Sequence, residues 1–323
     1  MHHLSRRSLL AATTAAAALT VMPGSGQAEV RRLEIVAPAS PGGGWDQTAR
    51  AMQAALQEAD LASRVQVQNI SGAGGTIGLA QFATSKRGRG DSILVSGLIM
   101  VGAILTNKSA VTLDDVTPLA RLTGEYEMLA VTTELPIKSM ADFVDKLKAD
   151  PGSVSWGGGS AGGTDQILVG LIAKAVGVDP TKANYIAHSG GGEAMSSILG
   201  GHVTVGVNGV AELLPQVQAG KLRPLAVSSE ERVPGLDVPT LREQGVDVVL
   251  TNWRSVMAPP QVKDADKQAL SEMIAGMVKS KAWQETLKER GWIDLYQPEE
   301  EFNAFLKKDR AQVESILKEI GLV

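Results

Sequence analysis

A chain of 323 residues, 44 % of them hydrophobic, is long enough to bury a large core in more than one lobe. Its 31 Lys and Arg against 35 Asp and Glu give a slightly acidic balance, which suits neither nucleic acid nor an anionic membrane surface. There is no cysteine to form a disulfide or act as a thiol, and the 4 histidines lack metal-ligand spacing, so no metal site is expected.

In chain order, Ser5, Arg6, Arg7 and Ser8 precede an apolar run from Leu9 to Met22, which breaks at Pro23-Gly24 and ends in the small-residue site Gly26-Gln27-Ala28. This reads as a twin-arginine export signal over residues 1–28, cleaved after Ala28, with the mature chain in the periplasm. A membrane span needs about 20 apolar residues, more than this run offers. The signal takes two of the 31 bases and none of the 35 acids, leaving 29 against 35.

"LEIVA" (Leu33 to Ala37) is a strand-like run. Trp45, Ala49, Met52, Leu56 and Ala59 then recur at helical spacing, and "RVQVQNI" alternates at period two. Further strands are expected at "DSILVSG", "YEMLAVTT", "GSVSWGG", "ANYIAH", "VTVGVNG" and "LRPLAVSS", with helices at "MADFVDKLKAD", "TDQILVGLIAKAV", "GEAMSSIL" and "AELLPQVQAG". This alternation predicts an α/β fold of parallel sheets wrapped by helices. From Ala265 onward the chain reads as mostly helical and charged, with Met273, Met277, Trp283, Leu287, Phe302, Phe305, Ile316 and Ile320 as its apolar contacts.

Four glycine-rich stretches, "ASPGGGWDQTAR", "SGAGGTIG", "WGGGSAGGTDQ" and "HSGGGEAM", each follow an apolar run and open a helix. Such a turn leaves backbone N–H groups free at a helix start, where the dipole favours an anion. Two lie early and two in the middle of the chain, so facing sheets would direct all four toward one cleft. None holds a lysine, which excludes a phosphate loop.

Gly157, Gly159 and Gly162 match the dinucleotide fingerprint, but the next strand ends in His188 and Asp179 lies in the loop before it. The acidic partner of a ribose is missing, and no cofactor is expected. Gly158 to Gly162 also match G-x-S-x-G, which would make Ser160 a nucleophile. Its partners would have to come from Asp179, His188 and His202, all close behind in the chain, so Ser160 reads better as a donor to a bound anion.

The runs "LEIVAPASPGGGWDQTARAMQAAL", "VQNISGAGGTIGLAQFA", "GGGSAGGTDQI", "YIAHSGGGEAMSSILGGHV" and "QAGKLRPLAVSS" strongly resemble the substrate-binding proteins of tripartite tricarboxylate transporters, across essentially the whole mature chain. The resemblance implies a type II periplasmic binding protein fold: two lobes with parallel or mixed sheets around a ligand cleft. Residues 29–128 and 254–323 would form the first lobe and 129–253 the second, with crossings near Tyr126 to Thr133 and Thr251 to Val256.

It also implies a small carboxylate ligand, citrate-like from the run "APASPGGGWDQTARAMQ", handed to membrane permease subunits by a monomeric receptor. One carboxylate would be held by Ser40, Pro41, Gly42, Gly43, Gly44, Trp45 and Asp46 together with Gly72, Ala73, Gly74, Gly75 and Thr76. Ser160, Gly162, Gly163, Thr164 and Asp165, with His188, Ser189 and Gly190, would meet the ligand's other end, and Asn208 stands at the cleft edge.

Among these, Thr76 and Thr164 are hydroxyl donors, Asp46 and Asp165 suit helix capping better than contact with an anion, and Trp45 either lines the cleft or staples its turn. Neutral donors would attract an anion without burying a lysine that lacks a partner after release. A sensor presenting its ligand-bound form to a signalling partner would share all these features, and a serine hydrolase using Ser160 is the third reading.

Overall fold

Apolar runs punctuated by glycine turns wind twice in the same manner in the computed structural model, which describes residues 32–323. The twin-arginine stretch and the Ala28 cleavage site lie outside the described residues. The first winding is β1 (Arg32–Ala37), α1 (Gly44–Glu58), β2 (Arg64–Asn69), α2 (Thr76–Ser85), β3 (Ser92–Gly97) and α3 (Leu98–Thr106), with β1 parallel to both β2 and β3. After β4 (Thr117–Thr132) and α4 (Met140–Ala149) comes the second: β5 (Ser155–Gly158), α5 (Thr164–Ala175), β6 (Asn184–Ala187), α6 (Gly191–Leu199), β7 (Val205–Gly209) and α7 (Val210–Gln218). Here β5 is parallel to both β6 and β7. The chain finishes with β8 (Leu222–Val227), β9 (Thr251–Ala258), α8 (Asp264–Lys279), α9 (Lys281–Arg290), β10 (Ile293–Pro298) and α10 (Glu299–Glu319).

The 16-residue β4 joins the windings. From Thr117 to Tyr126 it runs antiparallel to β9, and from Glu127 onward it runs antiparallel to β7 and β8. The sheet is therefore mixed, where alternation alone suggested parallel sheets. The antiparallel pairings come from β4, β8, β9 and β10, with β4 pairing β7, β8, β9 and β10, and β9 also pairing β3. Three elements differ from the sequence reading. β4 begins at Thr117, ahead of Tyr126, its start masked by Pro118 and Gly124. The helix α3 is apolar throughout and has no helical period to read. Within the tail, β10 is a short, partly exposed strand on β4.

One core draws on residues 33–122 and 253–320, with Ile167 joining it. Met273, Met277, Trp283, Leu287 and Phe302 carry the tail helices into that core, where Trp253 meets Phe302 and Phe305 edge-on. Two further clusters lie between Met128 and Val248, one centred on Trp156 and Phe143, whose rings cross at 4.8 Å. Among the described residues no helix is long and apolar enough to cross a membrane.

Candidate functional site

The starts of α1, α5, α6 and α7 follow Gly43, Gly163, Gly190 and Gly209, and none of these glycines supplies a side-chain cap. A cleft opens where the helix starts converge. Pro38, Ala39, Gly43, Gly44, Trp45 and Ile99 line it from the first winding. Gly159, Ser160, Asp165, Ser189, Gly190, Gly191, Asn208 and Glu212 line it from the second, and Glu125, Asn252 and Arg254 reach it from β4 and β9. Its empty volume is about 540 Å³ including the open mouth.

The cleft is not the almost uncharged one that the glycine turns suggested. Arg254, 2 % exposed, pairs with the carboxylate of Glu125, also 2 % exposed, and its guanidinium lies 4.9 Å from the centre of the Trp292 ring. Burial, with Arg290 nearby, lowers the Arg254 pKa to about 9. Arg254 Nη1, Glu125 Oε2 and Trp45 Nε1 are buried without a hydrogen-bond partner.

Three more acids stand close by. Burial, and then the neighbouring Asp165, push Glu212 up to about 8, although the N–H groups of Gly44 and Gly209 donate to it. The residue as a whole is half-buried, but its carboxylate sits inside the cleft, and that position governs its proton affinity. Burial raises Asp165 to about 6 against a 2.6 Å hydrogen bond from the Gly159 N–H. Behind the lining, burial lifts Glu127 well above the usual range. It accepts from Asn252 Nδ2 at 2.9 Å, and Asn252 Oδ1 in turn accepts from Thr164 Oγ1 at 3.2 Å. Glycine permits these approaches: a Cβ on Gly191 would lie 2.6 Å from Glu212 Oε2, and one on Gly44 would overlap the Arg254 guanidinium.

Of the residues singled out from sequence, Gly43, Gly44, Trp45, Ser160, Asp165, Ser189, Gly190 and Asn208 line the cleft. Others hold the turns that shape it. Asp46 accepts from Gly42 N–H and Asn69 Nδ2, both at 2.9 Å, and from Arg50 Nε at 3.0 Å. Ser40 closes the same turn through its carbonyl, which accepts from Gly43, and Pro41 lies within it, its carbonyl facing Gly192.

The Gly72, Ala73, Gly74, Gly75 and Thr76 turn does not reach the lining: Thr76 donates to the Ala73 carbonyl at 2.9 Å, while Gly74 faces Ala103 and Gly75 backs onto the Trp45 ring. Gly162 N–H goes to Gln166 and Gly163 N–H to Ser160 O. His188 turns Nδ1 to the Gly158 carbonyl at 2.9 Å, and no hydrogen bond joins it to Ser160.

Glu125, Glu127, Glu212, Asn252 and Arg254 were missed from sequence. For Glu125, Glu127 and Arg254 a signal existed, since a charge inside an apolar strand must find a partner. Glu212 carried none, because an acid in a first helical turn is ordinary capping.

The raised acids bind protons more tightly folded than unfolded. Their contribution to stability is full below about pH 4.5 and is lost as the pH rises through about 6 and 8. The ligand-free protein is therefore expected to lose on the order of 2–4 kcal/mol between pH 5 and pH 8, and to melt roughly 5–10 °C lower. Thermal melts after the ligand has been stripped check this, and a melting temperature that rises over the same interval contradicts it.

Residues 48–322 match the family described as the tripartite tricarboxylate transporter family receptor. The chain is 28 % identical over 298 residues to the protein BugT of Bordetella pertussis, covering 90 % of each. Its fold is similar to that of the periplasmic binding protein BugD, with a TM-score of 0.80 at 24 % identity over 90 % of this chain and 98 % of that one. It is equally similar to an R. palustris structure with adipate, at a TM-score of 0.80 and 23 % identity over 90 % and 97 %. At such identities these two structures speak for the fold alone.

Proposed function

We infer the function from one premise, that this chain belongs to the tripartite tricarboxylate transporter receptor family and is a solute-binding protein. It is exported by the twin-arginine signal and cleaved after Ala28. In the periplasm it binds a small carboxylate between two lobes, residues 29–128 with 254–323 and residues 129–253, and delivers it as a monomer to membrane permease subunits. β4 and β9 are the strands about which the lobes close.

The observation that carries this reading is Arg254 Nη1, a buried cationic donor without a partner, lining the cleft where α1 begins. Two positive features side by side suit an anion, and an arginine fork suits a carboxylate. Ser160, Ser189, Gly190 and Asn208 add polar groups from the facing side. Charged hydrogen bonds contribute about 1.5–3 kcal/mol each, so a few of them, less the ordering cost, reach the roughly 8 kcal/mol of micromolar binding.

The first-turn run suggested a citrate-like acid, but the charge of the cleft favours one with fewer carboxylates. A trianion would face Glu125, Asp165 and Glu212, with Arg254 as the base among the lining residues. A mono- or dicarboxylate, of the kind that adipate is in the R. palustris relative, fits better.

Purification from the native cells, followed by denaturation and mass spectrometry of what is released, tests the proposal. One small carboxylate near equimolar amount, on a chain whose intact mass begins at Glu29, is the expected result. A retained nucleotide or neutral sugar would overturn the receptor reading, and retained citrate would overturn the charge argument.

A further inference from the structure

Resting on the carboxylate-receptor reading, we propose that the ligand carries a protonated nitrogen as well as a carboxylate, and that Glu212 is the residue that selects for it. The cleft is lined by three carboxyl groups, Glu125, Asp165 and Glu212, against the single base Arg254. Glu125 already pairs with that base, and its second oxygen is buried without a partner.

The place of Glu212 is the telling feature. Its carboxylate accepts from the N–H groups of Gly44 and Gly209, at the starts of α1 and α7, and presses against Gly191 at the start of α6. An internal acid thus takes the position in which these helix starts would hold a carboxylate from the ligand. What remains for the ligand's carboxylate is Arg254, which lies against Gly44 on the side of the first winding and whose Nη1 lacks an acceptor.

A second carboxylate beside Glu212 and Asp165 would add like charge to a desolvated pair. An ammonium there would let both acids ionise and would supply donors to Glu125 Oε2. Among the described residues no three acidic or imidazole groups are placed to hold a metal ion, and a ligand ammonium is the cation proposed here. The other titratable neighbours do not supply it. Tyr185 donates its hydroxyl to the Gly159 carbonyl, His188 is turned to the Gly158 carbonyl, and Glu127 is itself an acid held by Asn252.

Matched pairs differing only in the nitrogen test the idea: alanine with propionate, 4-aminobutyrate with butyrate, and glutamate with glutarate, titrated calorimetrically at pH 7. At least one amino compound is expected to bind about tenfold or more tighter than its partner. In Glu212→Gln that preference should fall to within about threefold. Wild-type titrations in buffers of different ionisation enthalpy should show protons released on binding, because Glu212 holds one in the free protein.

Equal or tighter binding of the plain acid in every pair, an unchanged preference in Glu212→Gln, or proton uptake would each overturn the proposal. Should Glu212→Gln fail to fold, Asp165→Asn and the wild-type proton count decide it. If only plain acids bind, this inference fails and the receptor reading stands. If no carboxylate of either kind binds, both fail.

Discussion

Replacing Arg254 by Met is expected to destabilise the protein by about 3–5 kcal/mol and to abolish measurable carboxylate binding. Among the described residues the guanidinium is the only base lining a cleft that holds Glu125, Asp165 and Glu212, and both it and Glu125 are almost fully buried. Removing it leaves Glu125 as an uncompensated charge with other acids close by, which costs far more than the ion pair itself contributes. Its contact with the Trp292 ring is lost as well. The double variant Glu125→Gln/Arg254→Met removes both charges, so it should recover most of the stability and none of the binding. Urea unfolding at pH 7 with calorimetric titration separates the two effects. A loss below about 1 kcal/mol in the single variant would contradict this account.

Gly102→Ala should leave the fold intact and weaken binding about 5- to 150-fold, the equivalent of the roughly 1–3 kcal/mol of overpacking. Gly102 lies in α3, and a Cβ on it would overlap the backbone carbonyl of Gly162, in the turn across the cleft. That carbonyl cannot easily give way, because Gly162 is held at φ 71° and its N–H bonds to Gln166 Oε1. Alanine in a helix interior is otherwise favourable by about 1 kcal/mol over glycine, so the helix itself is not at risk. The added methyl therefore acts on the approach of one side of the cleft to the other. Solution X-ray scattering with saturating ligand should show a larger radius of gyration than wild type. Unchanged affinity together with lowered stability would mean that this contact is permanent and not part of closure.

The glycine turns, the strands before them and the helices after them were legible because each rests on neighbours along the chain: an apolar run, a residue that permits close backbone approach, and a helical period. Gly43, Gly44, Ser160, Ser189 and Gly190 reached the cleft by that route. The Gly72 to Thr76 turn has the same local signature and still does not line it, because α2 starts behind Trp45 and Gly75 supports the ring. Local pattern identifies a turn but not which way it faces.

By itself, then, the sequence determined the alternation of elements, the glycine-built helix starts, the absence of thiol chemistry and the family likeness carried by the turns. Tertiary structure alone decided the charge of the cleft and its closeness. Glu125 and Arg254 meet because β4 and β9 run antiparallel, Glu212 reaches Gly44 because two windings face each other, and Gly102 touches Gly162 for the same reason. Backbone conformation and periodicity depend on neighbours in the chain, whereas Coulomb energy and steric overlap depend on distances in space that only the folded packing sets.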